Sequence, residues 1–434
     1  MNGDYILNEE KEKNHIIPTR NPTILIPAVL IQLCLGSIYA WSKFQTALIS
    51  DTGVYNWEKL FTQLPFTFGL AFFAIAMIFA GRWQDRVGPK KVATVGGILL
   101  GIGYLLAGFV DIIAPSNELL GFIWLASTYG IIGGVGIGFA YVCPIATLVK
   151  WFPDYKGLIT GVAVAGFGLG AFFLLYIEEF LILSIGNGNI GLAFWVLGIL
   201  FLIIVVVSAQ YLINPPKGWT PAGFTPQPTK MTIKGKKDYE PLEMIKTPQF
   251  WLLWGMFILA ASAGLMTIGN VTTFIGNTLE NQGILEYSVL AVTAGSLLAI
   301  FNSAGRIVWG AVSDRLGRII TMILMFGTLG VAMFFFGIQT EYLLLLIGAC
   351  TIGFCFGGNF ALFPSATDDY FGTKNLGRNY GIVFTAYGIA GALGPFIAGI
   401  LPYKDAFPLL GLLAFIAVGL AIIAEYIARK QSTS

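Results

Sequence analysis

Charge is what this chain has least of. Only 11% of its 434 residues are Asp, Glu, Lys or Arg, against roughly a quarter in an ordinary soluble domain. A water-soluble protein of this length could not cover its surface with so few charges, which excludes that class. Histidine is nearly absent: His15, in the polar N-terminal stretch, is the single copy. The four cysteines, Cys34, Cys143, Cys350 and Cys355, fall inside apolar runs without metal-like spacing. They read as small core residues, not as ligands or disulfides. No metal and no cofactor is expected. Residues 1–21 are polar and of mixed charge, so the pattern of a signal peptide is missing.

What is present is apolar. Hydrophobic residues make up 56% of the chain, in stretches near the ~20 residues that cross a bilayer as a helix. Twelve such spans are expected, at about 22–43, 61–80, 91–111, 121–147, 157–177, 187–212, 248–275, 287–311, 319–338, 343–365, 378–401 and 406–427. The fold class is an all-α membrane protein of twelve transmembrane helices in two pseudo-symmetric six-helix bundles. The expected organisation is a tail (1–21), a first bundle (22–212), a linker (213–247), a second bundle (248–427) and a tail (428–434). The linker is proline-rich and then lysine-rich, too polar to cross and too broken for one helix. Twenty-one Lys and Arg fall on the side of the tails and linker. Three, Lys43, Lys59 and Lys404, fall on the other, and Arg306 on neither. Basic excess marks the cytoplasmic side, so a multi-pass protein of the cell membrane with both termini cytoplasmic is expected.

A short phrase occurs twice, 229 residues apart. Gly81-Arg82-Trp83-Gln84-Asp85-Arg86-Val87-Gly88 and Gly310-Ala311-Val312-Ser313-Asp314-Arg315-Leu316-Gly317 both read G-x-x-x-D-R-x-G, followed within two residues by a basic side chain. Two glycine-rich helices repeat as well, with Phe139-Ala140 and Pro144 in span 4 against Phe360-Ala361 and Pro364 in span 10. A duplicated half-molecule with matching loops implies a carrier built from two related bundles. Asp85, Arg86, Asp314 and Arg315 are candidate gating residues, making contacts between bundles that break and re-form in each cycle. The plainer role for each Asp is a helix N-cap. The loop G-x-x-x-x-G-K-[ST] is missing, so transport should be secondary.

Arg306 is the fully charged side chain expected deep in a span. It lies eight residues before Asp314, about 12 Å at 1.5 Å per residue, and so near the bilayer midplane. Placing it there costs roughly 2.5–3.5 kcal/mol on insertion scales. Either it is structural, bound to a carbonyl, or it binds a ligand. The acids read as lying in tails, loops and span ends, so no intramembrane carboxylate is expected to pair with it. That favours a ligand, and a planar guanidinium suits a carboxylate.

Several segments extend the pattern: Gly36-Ser37-Ile38-Tyr39-Ala40-Trp41-Ser42, Lys150-Trp151-Phe152-Pro153-Asp154, Pro215-Pro216-Lys217-Gly218-Trp219, Thr247-Pro248-Gln249-Phe250-Trp251 and Ala361-Leu362-Phe363-Pro364-Ser365. With the two D-R-x-G loops, they resemble the major facilitator superfamily, in its oxalate/formate antiporter and monocarboxylate transporter branch. The resemblance covers essentially the whole chain. It implies that Arg306 is the anion-binding arginine and that Tyr39, Gln63 and Tyr141 line the substrate cavity. Tyr387 stands where the oxalate carrier that this chain resembles has a lysine. Phe356 and Phe360 replace its indole and phenol, making that wall more apolar. Asn302 stands where animal-type monocarboxylate transporters have an aspartate tied to proton coupling.

One cation matches one carboxylate, and a dianion would leave a buried charge unmatched. The expectation is a secondary transporter of small monocarboxylates such as lactate or pyruvate, with proton coupling left open. The alternatives are oxalate/formate-type exchange and a non-transporting sensor of the same fold. An enzyme is not expected, since the spans hold no nucleophile–base set. The implied partners are the substrate, the lipid bilayer and, if coupled, a proton; no nucleic acid is implied.

Overall fold

A computed structural model describes residues 22–50, 54–114, 117–152, 156–216, 219, 221, 238–372 and 375–432. Most of the expected linker and the first tail thus lie outside the described residues. Those described are helical, without a strand. Twelve helices are long and apolar enough to cross a membrane: spans 1 (Leu25–Ile49), 2 (Lys59–Gln84), 3 (Pro89–Ile113), 4 (Glu118–Trp151), 5 (Gly161–Ile185), 6 (Gly191–Ala209), 7 (Pro248–Glu280), 8 (Tyr287–Leu316), 9 (Arg318–Phe336), 10 (Tyr342–Phe371), 11 (Arg378–Ile400) and 12 (Tyr403–Ile427). Their outward side chains, such as Phe79, Ile203, Leu343 and Ile422, are large, apolar and exposed. That surface suits lipid, and this is a multi-pass membrane protein.

The packing repeats as the sequence does. Span 3 packs on 6, span 2 on 4 and span 1 on 5; the counterparts 9 on 12, 8 on 10 and 7 on 11 pack likewise. Across the two halves, span 2 meets 11 and span 5 meets 8, while span 1 meets 7. Advancing each span by six turns the first cross-contact into the second. Close approach in lipid depends on small residues. A Cβ on Gly305 would lie 2.0 Å from the Phe354 carbonyl oxygen, and one on Gly357 would lie 1.9 Å from that of Asn302. Spans 8 and 10 therefore touch backbone to backbone at Asn302 and Gly305, in the turn that leads into Arg306. The duplicated loops end alike too: Gly88 and Gly317 both have φ +87°, with ψ 159° and 157°. That region is open to glycine almost alone, which is why the phrase ends in glycine twice.

Several helices run past their expected ends, among them spans 1, 5, 7, 8 and 10, and the extensions of spans 1 and 5 carry charge into the interior. Span 1 runs on to Ile49 past residue 43, and span 5 runs on to Ile185 past residue 177. The expected ends were set by charge, at Lys43 and just before Glu178, because an ionised group in hydrocarbon is costly. The helices continue because Lys43 of span 1 forms an ion pair with Glu179 of span 5. Beyond that pair, apolar Phe180–Ile185 carries span 5 further as a π-helical turn.

Candidate functional site

Arg306 sits where spans 5, 8 and 10 converge, and is only 4% exposed. Its Nη1 donates to the Val164 carbonyl of span 5 at 2.8 Å, and its guanidinium carbon lies 4.3 Å from the centre of the Phe360 ring. A helical carbonyl keeps a second lone pair for such a donor, and an arginine over a ring gains a cation–π attraction. Nε and Nη2 make no hydrogen bond among the described residues. These two nitrogens form one edge of the fork, the edge that takes a carboxylate through two parallel bonds. The structural and the ligand-binding readings of Arg306 are thus both accommodated: one edge is anchored, and the other makes no well-formed hydrogen bond, with the Tyr39 and Tyr141 hydroxyls beside the guanidinium.

Aromatic side chains from both halves close round it. The Tyr39 and Tyr387 hydroxyls are 2.9 Å apart, joining span 1 to span 11. Tyr39 and Tyr141 each pack edge-on to Phe167, with centroids 5.0 and 5.2 Å away. Phe356 and Phe360 pack on one another, and Phe360 lies 5.6 Å from the Tyr387 ring. The charge of Arg306 reaches Tyr39, Tyr141, Tyr380 and Tyr387. Asn302, one turn before Arg306, is fully buried with both amide atoms unpartnered among the described residues. Beside it lies a void of about 10 Å³ bounded by Tyr39, Leu298 and Asn302, room for one water at most. Tyr39, Arg306 and Tyr387 are all buried, so this conformation is occluded.

The structure brings together Arg306, Tyr39, Tyr141, Asn302, Phe356, Phe360 and Tyr387. Gln63 belongs elsewhere. Its Nε2 donates to Asn270 Oδ1 at 2.8 Å, and Gln45 Nε2 and Tyr403 Oη donate to the same oxygen at 2.9 and 2.8 Å. This network joins spans 1, 2, 7 and 12 towards the end opposite the D-R-x-G loops. Of the loop residues, Asp314 accepts from Arg318 at 2.6 Å, within its own half, and does not cap the following helix. Arg86 and Arg315 are exposed; the Asp85 side chain lies outside the described residues. A groove of about 570 Å³ lined by Val331, Phe335, Leu344 and Ile347 opens onto the lipid-facing surface between spans 9 and 10, away from the arginine.

Three charged residues correct the expectation that Arg306 stands alone and that the spans hold no acid. Lys43, Glu178 and Glu179 all lie within spans 1 and 5. Glu178 is fully buried. Tyr380 was also missed, since a tyrosine near a span end looks like an interfacial anchor.

Gly168 is what lets span 8 lie so close to span 5. A Cβ there would fall 2.5 Å from Ser303 Oγ and 3.6 Å from both Nε and Nη2 of Arg306. Gly168→Val is expected to push span 8 away and narrow the free edge, weakening any carboxylate bound there by about tenfold, or ~1.4 kcal/mol. Titration of the purified protein with labelled small carboxylates checks this. An unchanged affinity would mean that a bound carboxylate does not use that edge.

Residues 25–395 match the family model described as Major Facilitator Superfamily. The chain is 33% identical over 371 residues to the uncharacterized MFS-type transporter YhjX of Escherichia coli (strain K12), covering 84% of each. It is 30% identical over 405 residues to the oxalate:formate antiporter of Oxalobacter formigenes, covering 92% of this chain and 90% of that one. Monocarboxylate transporters are among the relatives of lower identity. A crystal structure of a D-xylose–proton symporter superposes with a TM-score of 0.68 at 16% identity, over 92% of this chain and 96% of that one, which shows the fold. The chain belongs to the Major Facilitator Superfamily, within its oxalate/formate antiporter and monocarboxylate transporter branch.

Proposed function

We propose that this protein is a secondary transporter of small monocarboxylates such as lactate or pyruvate, working by alternating access. The observation that carries the reading is the unpartnered Nε–Nη2 edge of a buried arginine whose opposite side is already held by Val164. One such edge takes one carboxylate. Phe356 and Phe360 offer a short alkyl group an apolar wall, and the Tyr39, Tyr141 and Asn302 polar atoms can meet a hydroxyl or keto oxygen. The site draws on both halves, as alternating access requires: Tyr39, Tyr141 and Val164 from the first, Arg306, Phe360 and Tyr387 from the second. Residues 22–212 and 248–427 are then the bodies that rock, with 213–247 as their tether. Asp85, Arg86, Asp314 and Arg315 take part in the gate on the cytoplasmic side, where the basic excess also places both termini. The similarity to an oxalate:formate antiporter favours exchange as the second reading.

The test is counterflow of labelled lactate, pyruvate, formate and oxalate in proteoliposomes, with and without a pH gradient. Lactate or pyruvate should exchange and oxalate should not. Oxalate exchange without lactate or pyruvate exchange would replace the first reading with the second.

A further inference from the structure

A second ionisable cluster lies away from the arginine, towards the end of the molecule opposite the D-R-x-G loops. Lys43 of span 1 is 3% exposed; it pairs with Glu179 of span 5 and donates to Ser288 Oγ of span 8 at 3.2 Å. Ser288 in turn donates to Glu179 Oε1. The ion pair is therefore clasped by the other half of the molecule. Glu178, next in the chain, is fully buried, and neither of its carboxyl oxygens has a hydrogen-bond partner among the described residues. Its electrostatic neighbours are Lys43 on span 1, Tyr104 on span 3 and Tyr129 on span 4. Tyr104 donates to Ser37 and also feels Cys34. The Tyr129 hydroxyl is buried and unpartnered. From span 8, Tyr287 faces Glu179.

Counting charges decides what Glu178 does. The cluster holds one ammonium and two carboxyl groups, so it is neutral only with one proton on a carboxyl. Glu179 is committed to Lys43 and Ser288, which leaves Glu178 as the carboxyl to hold that proton. A carboxylate without hydrogen bonds in a water-poor interior costs several kcal/mol unless it finds a cation. The cation within reach is Lys43, already engaged in the clasp.

We propose that Glu178 is the proton-binding site of this transporter, and that its proton controls the Lys43–Glu179–Ser288 clasp between the halves. This rests on the carrier reading above. With the proton on, Glu178 is a neutral acid and Lys43 stays with Glu179 and Ser288, so the halves are held together at that end. With the proton off, the Glu178 carboxylate competes for Lys43. Ser288 loses its donor, and the end opposite the D-R-x-G loops is free to open. The step is a proton joining or leaving one carboxylate oxygen, with no other bond made or broken. Proton and substrate would then sit on separate elements, Glu178 in the first half and Arg306 in the second, coupled through the one interface that both hold shut.

The test compares wild type with Glu178→Gln, of nearly the same shape but unable to exchange a proton. Gln, like the protonated acid, leaves Lys43 with Glu179 and Ser288, so the clasp stays shut and labelled lactate or pyruvate counterflow should fall by about tenfold or more; wild-type counterflow by this variant would overturn the clasp. Accumulation driven by an inward pH gradient should fall to the level without a gradient. Equal gradient-driven accumulation by both proteins, or no response to the gradient in wild type, would overturn the proposal. A readout independent of substrate separates this from failure of the carrier reading. In infrared difference spectra of purified protein titrated with acid, the C=O band of a carboxyl without hydrogen bonds, which lies at higher frequency than the band of the solvated acids, should be present in wild type and missing in Glu178→Gln. The same band in both, or in neither, overturns the assignment whether or not a monocarboxylate is carried. If the Gln variant does not purify as a monodisperse protein, Glu178→Asp should keep the band with its midpoint moved, and an unmoved midpoint counts against the assignment.

Discussion

Arg306→Ala is expected to abolish saturable carboxylate transport while leaving the protein folded. Two contacts meet at this side chain, Val164 on one edge and the Phe360 ring against its face, and its Nε–Nη2 edge is open. The contacts hold the guanidinium in place, and the proposed function assigns the open edge to a substrate carboxylate. Two parallel charge-assisted hydrogen bonds in a buried site are together worth about 3 kcal/mol or more, so uptake efficiency should fall at least ~100-fold. Stability should not fall with it. A buried cation with two unsatisfied donors is itself costly, and a neutral side chain removes that cost while giving up one carbonyl contact. Arg306→Lys sharpens the test. An ammonium is a point charge on a flexible stem, and it cannot hold the Val164 carbonyl and a carboxylate in the same fork geometry. It should recover only a small part of the lost uptake. The measurements are initial uptake rates at matched protein density and the thermal unfolding midpoint in detergent. Near-native uptake by a folded Arg306→Ala would put the substrate carboxylate elsewhere.

Arg306 was legible in the sequence because a lone charge in an apolar run is conspicuous, and its cost demands a purpose. The duplicated loops were legible for a local reason, since a backbone at φ +87° selects glycine wherever it occurs. Tyr39 and Tyr387, 348 residues apart, could be brought to one site because the repeat supplied the register and the resemblance supplied the cavity. Lys43, Glu178 and Glu179 were hidden by the same rule that exposed Arg306. Charges mark span ends only when they are solvated. A pair formed across two helices cancels its own penalty, and no window along one helix reveals the partner on another. Gln63 is a different case. Its depth is compatible with a cavity, but its amide is taken up by Asn270 of the other half. Only the packing of span 2 against span 7 shows that. The Val164 carbonyl could not be read at all, since any helical backbone offers the same group, and it is the absent side chain of Gly168 that leaves it approachable.

Tyr387→Lys is expected to turn the proposed monocarboxylate site into one that takes a small dicarboxylate. Tyr387 is fully buried, its hydroxyl meets Tyr39, and its ring stands beside Phe360, which itself lies against Arg306. A lysine there places an ammonium on span 11 opposite the guanidinium on span 8. Two cations then share a low-dielectric cavity. A monocarboxylate leaves one of them unmatched, and an uncompensated buried charge costs several kcal/mol. Lactate or pyruvate exchange should therefore drop by about tenfold or more, the equivalent of ~1.4 kcal/mol. Oxalate, with a carboxylate for each cation, should begin to exchange. Losing the Tyr39 partner is a separate effect, and Tyr387→Phe isolates it. That variant removes the hydroxyl contact without adding charge, so it should weaken monocarboxylate exchange only modestly and gain no oxalate exchange. Counterflow of labelled lactate, pyruvate and oxalate into proteoliposomes of the three proteins separates the outcomes. If Tyr387→Lys folds, keeps wild-type lactate exchange and gains no oxalate exchange, then Tyr387 does not face the substrate, and the match between one cation and one carboxylate does not set its charge.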